Sequence, residues 1–137
     1  MAYTPLAKSF GELPDMAGDA NIYELKDANV PETAKEVLVY LWATTKGDEA
    51  FHRYYYQIET KDGKKSYRQY MNVAASHDVS LNSANIWLPV FKDQFQVTVN
   101  LKDAETPSNK SSKSIAHRDG KAKHEVTFSG FFVIGYR

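Results

Sequence analysis

The amino-acid sequence predicts an all-β protein, built as a single antiparallel β-sandwich of the jelly-roll type over residues 1–137. Three observations predict this fold. Apolar and polar residues alternate with a period of two, turn residues separate the alternating segments, and no segment shows a convincing amphipathic helix. A length of 137 residues, with 42% hydrophobic and 25% charged side chains, fits one globular domain.

The N-terminal half is expected to supply two strands before a hairpin. Asn21–Leu25 is the first, and Glu36–Thr45 (EVLVYLWATT) is predicted to be a central strand because it is apolar and rich in β-branched and aromatic residues. A helix beginning at Pro31 is the alternative, since Pro and Glu suit a first helical turn. The strand is favoured because a surface helix would show a polar stripe.

A β-hairpin is predicted next, with Tyr54–Thr60 and Lys65–Met71 as its strands. Asp62-Gly63 lies between them, and Asp-Gly is the strongest short-range signal for a two-residue hairpin turn. If these two residues form the turn, every pairing in the hairpin follows, because side chains alternate between the two faces of a strand.

The C-terminal half is predicted to hold the remaining strands. Asn85–Val90 contains Pro89, which cannot donate to a sheet ladder and therefore indicates an edge strand or the end of a strand. Gln94–Leu101 alternates cleanly, as expected for a half-buried antiparallel strand. Val126–Tyr136 is expected to form one or two strands around a break at Ser129-Gly130.

One face of the predicted hairpin carries a candidate binding surface. On the expected register Tyr55 pairs with Tyr70 and Gln57 with Arg68, while Glu59 lies diagonally from Arg68. Tyrosine rings offer flat apolar area at a small entropy cost, and the amide, carboxylate and guanidinium groups give directional hydrogen bonds. Such a surface suits a polyol or a protein ligand. The alternative is that the aromatic and charged cross-strand pairs only stabilise the sheet.

Trp87 is a second candidate binding residue, with Asn85 two positions before it. An indole close to amide groups is typical of a platform on which a sugar ring stacks. The alternative is that Trp87 belongs to the core, where most tryptophans of globular proteins lie.

No catalytic residue, metal site or cofactor is predicted. The chain has no Cys, and its four histidines lack the spacings that bring two imidazoles to one metal (His52, His77, His117, His124). The nucleophile elbow, the phosphate-binding loop and the dinucleotide fingerprint are also missing from the sequence. Asp15–Asp19 has part of a calcium-loop pattern without its closing Glu, which leaves a loop-bound cation open.

The charge balance bears on possible partners. Lys plus Arg and Asp plus Glu each number 17, so the sequence predicts neither nucleic acid nor a membrane as a partner. Residues 1–36 hold three basic and seven acidic side chains, and residues 107–137 hold six and two. The opposite charges are expected to pair the chain ends or two subunits, the alternative being two unconnected surfaces. The Ser/Lys-rich segment 107–124 is expected to be a long loop.

The first residues lack the charged and apolar regions of a secretory signal, and the lack of Cys is compatible with a reducing compartment. The cytoplasm is therefore the default location, with secretion left open. Asn109-Lys110-Ser111 matches the N-glycosylation triplet, which matters only in a secreted chain.

The C-terminal segment, Val126-Thr-Phe-Ser-Gly-Phe-Phe-Val-Ile134, resembles the closing strand of the complement-type globular domains of the tumour necrosis factor superfamily. Those domains end in Phe-Ser-Gly-Phe followed by two aliphatic residues, and Val90–Asn100 sits where they keep their penultimate strand. The resemblance covers the last third of the chain. It implies a ten-strand jelly roll and a trimer, and no binding residue is carried over from it.

Together these patterns predict a non-enzymatic recognition module that binds carbohydrate, in the manner of a lectin, and acts as a homo-oligomer. Its predicted ligand-binding residues are Tyr55, Gln57, Glu59, Arg68, Tyr70, Asn85 and Trp87. The alternative is a structural or protein-interaction domain in which the aromatic face of Tyr55 and Tyr70 is the subunit interface.

Overall fold

The structure is a computed structural model of the chain. It describes residues 2–45, 52–75, 79–104, 126 and 128–137. These residues form eight strands and one turn of 3-10 helix, Leu25–Ala28. The strands are β1 Thr4–Ser9, β2 Ala20–Glu24, β3 Glu36–Thr45, β4 His52–Asp62, β5 Lys65–Ala75, β6 Ser80–Pro89, β7 Gln96–Asp103 and β8 Phe128–Tyr136. The predicted loop 107–124, its histidines, its glycosylation triplet and His77 lie outside the described residues.

The strands form two four-stranded antiparallel sheets. Sheet 1 has the order β1-β8-β3-β6 and sheet 2 the order β2-β7-β4-β5. Successive strands alternate between the two sheets, except for the β4–β5 hairpin, and this topology is that of an eight-stranded jelly roll. The predicted all-β sandwich is therefore confirmed.

The core lies between the two sheets and is filled by the inward half of each strand. In β3 every second side chain, from Val37 to Thr45, is buried, and the inward residues of β4, β7 and β8 meet them. Full burial of one such large apolar side chain stabilises the fold by roughly 1.5–3 kcal/mol. Aromatic rings also pack here: Tyr23 stacks on Phe131 with 4.1 Å between ring centroids.

The predicted strands are found, with three corrections. The alternative helix at Pro31 is wrong, because Glu36–Thr45 forms β3. The break predicted at Ser129-Gly130 is wrong, because β8 runs through it. Sequence patterns also missed β1, whose residues Thr4–Ser9 are almost all exposed and show no apolar alternation. Without a buried face, a strand leaves little signal in its sequence.

The hairpin forms as predicted, but its turn residues are Gly63 and Lys64 rather than Asp62 and Gly63. Asp62 pairs with Lys65, and Gly63 has a φ of +64° at the first central position, where a type II′ turn takes glycine. The pairing therefore shifts by two residues. Because the side-chain period is also two, every side chain keeps its predicted face.

The two ends of the described chain lie side by side. Strand β1 pairs with β8, and Arg137 Nε donates to Glu36 Oε1 over 2.6 Å. This ion pair joins the acidic N-terminal block to the basic C-terminal one, so the expected contact between the chain ends is present within a single chain.

Candidate functional site

Five of the predicted binding residues lie together on the outer surface of sheet 2, which we name the tyrosine face: Tyr55, Gln57, Glu59, Arg68 and Tyr70. Strand alternation places them there, since the residues between them in β4 point into the core. Tyr70 is 53% exposed, whereas Tyr55 and Gln57 are half-buried.

The shifted register changes the partners within the tyrosine face. Tyr55 lies opposite Asn72 and Gln57 opposite Tyr70, so the predicted pairs Tyr55–Tyr70 and Gln57–Arg68 are wrong. The two tyrosines nevertheless touch along the diagonal, with 5.8 Å between ring centroids and an interplanar angle of 63°. This edge-to-face contact is a favoured aromatic geometry, and it holds one ring beside the other.

Glu59 and Arg68 form an ion pair directly across the hairpin, with 3.1 Å between Oε2 and Nε. Glu59 is only 6% exposed, although it lies on an outer face. Burial raises the pKa of its carboxyl group, but hydrogen bonds from Ser66 and Arg68 and the charges of Arg68 and Lys61 outweigh burial, so the net pKa is lowered. The carboxylate is therefore charged at neutral pH and fixes the guanidinium.

The tyrosine face continues onto β7, which pairs with the other side of β4. Thr98, Asn100 and Lys102 lie opposite Glu59, Gln57 and Tyr55, respectively. Thr98 and Asn100 fall on the polar side of the alternating segment Gln94–Leu101, but alternation gives no sign that β7 neighbours β4. The result is an open surface with amide, hydroxyl, carboxylate and cationic groups around two phenol rings.

Asn85 and Trp87 do not join the tyrosine face. They lie on β6 at the edge of sheet 1, on the opposite outer surface of the sandwich. The Arg137 guanidinium lies 4.0 Å from the centroid of the Trp87 ring, and Tyr3 packs edge-on against it at 5.6 Å. The protein's own arginine therefore stacks on the indole where a sugar ring would lie.

The outer surface of sheet 1 is rich in aromatic and aliphatic side chains, and we name it the tryptophan face: Tyr40, Trp42, Leu81, Trp87, Phe128 and Phe132. Phe128 is 66% and Leu81 68% exposed, on either side of Thr44. A strand that is apolar on both sides is typical of a sheet covered on both faces. Among the described residues, sheet 2 covers the inner side of β3, and the outer side chains of β3 are half-buried.

Glycines in β8 allow two rings to approach the backbone of sheet 1 closely. A Cβ on Gly130 would collide with the Trp42 indole, and a Cβ on Gly135 would come within 2.6 Å of the Tyr3 ring. Close approach of a neighbouring group is a common reason for glycine within a strand. The Ser129-Gly130 pair is therefore part of a packed strand.

Two shallow clefts formed by described residues contain none of the five tyrosine-face side chains in their linings. One of about 430 Å³ lies between 32–35 and 90–93 and includes Asp62 in its lining. The other, of about 370 Å³, is lined by residues of β4, β5 and β6, with Ala104.

Across the described ranges, no group of three or more His, Cys, Asp or Glu side chains is placed to hold a metal ion, and this applies to Asp15–Asp19 as well. The part of the chain that the structure describes also contains no helix long and apolar enough to cross a membrane.

Comparison with known proteins gives no match, either to a family model or to a curated protein.

Proposed function

We propose that the protein is a non-enzymatic, lectin-like recognition module that binds carbohydrate through the tyrosine face and acts as an oligomer. One observation carries the proposal: an exposed Tyr70 ring lies against Tyr55, next to Gln57 and the Glu59–Arg68 ion pair, on one open surface. A sugar presents apolar C–H faces and a ring of hydroxyl groups, and this surface offers a partner for each.

The guanidinium of this surface is held in place before a ligand arrives. Glu59 fixes Arg68 through a charge-assisted hydrogen bond, and Gln57 lies between β5 and β7 with Tyr70 on one side and Asn100 on the other. Fixing the guanidinium in advance reduces the entropy lost on binding. Weak single sites on an open surface gain avidity when several copies are joined.

Glycan-array binding of labelled wild-type protein and of Tyr70→Ala tests the proposal. The expected result is binding to a subset of glycans by the wild type and its loss in the variant, at unchanged mass. Tyr67→Ala is the matched control, because Tyr67 lies on the same strand but packs near Phe91, away from the tyrosine face. A wild type that binds no glycan, or a Tyr70→Ala protein that binds as well as the wild type, contradicts the proposal.

The second candidate is a structural or protein-interaction domain, and the exposed Phe128 and Leu81 side chains favour it. In this candidate the subunit interface lies on the tryptophan face rather than at Tyr55 and Tyr70, and the exposure of the two side chains supports that position. Exposed apolar patches on a globular domain mark interaction sites. Phe128→Glu is expected to reduce the mass measured by light scattering, and an unchanged oligomer in this variant would exclude this interface.

The resemblance to complement-type domains of the tumour necrosis factor superfamily supports a trimer as the proposed assembly. The resemblance rests on the Phe-Ser-Gly-Phe motif. In this motif Phe128 and Gly130 lie on the tryptophan face, and Phe131 lies in the core. The described residues form eight strands, whereas the resemblance implies ten.

A further inference from the structure

The β5 strand is a long edge of sheet 2. It spans Lys65–Ala75, pairs with β4 on one side, and has no strand on its other side among the described residues. Every residue from Lys65 to Tyr70 is exposed. Such an edge presents unpaired backbone N–H and C=O groups to which another strand can add.

The geometry of the hairpin identifies which backbone groups face the open edge. A two-residue turn closes on a hydrogen-bonded pair, here Asp62 and Lys65, and hydrogen-bonded pairs then recur at every second residue. The residues between them turn their N–H and C=O groups away from β4. The Ala74 carbonyl confirms this direction, because it accepts a hydrogen bond from the Thr45 hydroxyl of sheet 1. Four further residues share this orientation: Ser66, Arg68, Tyr70 and Asn72.

The edge also carries a one-sided charge. Lys64, Lys65 and Arg68 lie along it, and residues 63–75 contain no Asp or Glu. Arg68 is bound to Glu59 through Nε, and its side chain is still 49% exposed, so the guanidinium is accessible to a second carboxylate. Positive charge along an edge repels a second copy of the same edge and attracts an acidic strand.

We propose that the β5 edge binds an extended acidic peptide, which adds to sheet 2 as a fifth strand beyond β5. The backbone groups of Ser66 to Asn72 pair with the peptide backbone, and a peptide carboxylate on the tyrosine-face side binds Arg68. This goes beyond the carbohydrate proposal, because the ligand class differs and binding depends on backbone hydrogen bonds along the edge. A second copy of β5 is disfavoured, since residues 63–75 contain no Asp or Glu and so supply no carboxylate for Arg68.

The probe is a fluorescein-labelled peptide of about eight residues in which Glu alternates with Val, a pattern that suits a strand with one acidic side. Binding is measured by fluorescence anisotropy at low salt. Asn72→Pro removes one edge-facing N–H, at a position where an edge strand tolerates proline. Asn72→Ala is the matched control, because it keeps that N–H and loses the same side chain.

We expect Asn72→Pro to bind the peptide at least about tenfold more weakly than Asn72→Ala, because a peptide carbonyl loses its partner. Alternate N-methylation of the peptide is expected to abolish binding, and exchange of Glu for Lys is expected to do the same. Arg68→Gln decides the question if Asn72→Pro fails to fold, and it is expected to weaken binding at least about tenfold.

Equal binding by the two Asn72 variants, or undiminished binding of the N-methylated peptide, would overturn the proposal. The proposal would also be overturned if a sulfated polysaccharide or a nucleic acid binds this edge and the Glu-Val peptide does not. Glycan-array binding is expected to be equal in Asn72→Pro and Asn72→Ala, which lose the same side chain next to Tyr55, so that failure of the peptide proposal and failure of the carbohydrate proposal are distinguishable.

Discussion

Glu59 and Arg68 lie directly opposite one another in the β4–β5 hairpin, with Arg68 Nε donating to Glu59 Oε2 over 3.1 Å. The pair joins the middle of sheet 2 to its open edge and holds a guanidinium next to the exposed Tyr70 ring. A carboxylate that is almost fully buried on an outer face therefore organises the candidate binding surface.

The Glu59 carboxylate should make stability depend on pH. Its pKa is lowered in the folded protein, so it stabilises the fold above its unfolded pKa, near 4.5, and this contribution is lost as pH falls through the lower folded pKa. Urea titrations should show Glu59→Gln less stable than the wild type by about 1 kcal/mol at neutral pH, since Arg68 is half-exposed. The difference should shrink below about pH 4.5. A loss of stability in Glu59→Gln that does not depend on pH would mean that the ionised pair is not its source. Glu24→Gln, on β2, serves as the control.

Gly130 should be intolerant of any side chain. Gly130→Ala is expected to lower the free energy of unfolding by roughly 1–3 kcal/mol, because its methyl group would collide with the Trp42 indole. Combining it with Trp42→Leu removes the collision, so the effects of the two substitutions should not add. Additive effects in this double-mutant cycle would show that the indole does not lie on Gly130.

The hairpin turn can be tested by alanine at successive positions. Gly63→Ala is expected to cost roughly 1–2 kcal/mol, because Gly63 has a φ of +64° and a left-handed residue with a Cβ is strained. Lys64→Ala should change the unfolding free energy by less than about 0.5 kcal/mol. Asp62→Ala separates the two registers, because an Asp62-Gly63 type I′ turn would need a positive φ at both positions. A loss at Asp62 as large as that at Gly63 would favour Asp62-Gly63 as the turn.

Arg137 should stabilise the protein through both of its contacts. Arg137→Ala removes the ion pair to Glu36 and the stacking on Trp87, and it is expected to cost about 1–2 kcal/mol in urea. Glu36→Gln removes only the ion pair, so its smaller effect should fade in high salt. Equal losses for the two variants at all salt concentrations would show that the cation–π contact contributes nothing.

Local patterns in the sequence were sufficient for much of the fold but not for the site. Glu36–Thr45 was predicted with its observed bounds, because an apolar run ending in turn residues is a strong local signal. The face of each hairpin residue was also predictable, since a shift of two residues preserves it. The two turn residues were not predictable, because the Asp-Gly signal does not fix whether glycine takes the first or the second central position.

Contacts between strands distant in sequence could not be predicted. The sequence placed Trp87 near amides, but its contacts with Tyr3 and Arg137 depend on β1 lying beside β8 and on the path of the chain end. Likewise, Thr98 and Asn100 extend the tyrosine face only because β7 pairs with β4. Long-range pairing of this kind leaves no mark in local alternation of polar and apolar residues.

The most direct test of the account compares Tyr55→Ala with the wild type, measuring glycan binding and molar mass on the same samples. If the tyrosine face is a ligand surface, the variant loses glycan binding and keeps the wild-type mass. A variant whose mass falls, or one that still binds the same glycans, would show that Tyr55 and its neighbours are not where the ligand binds.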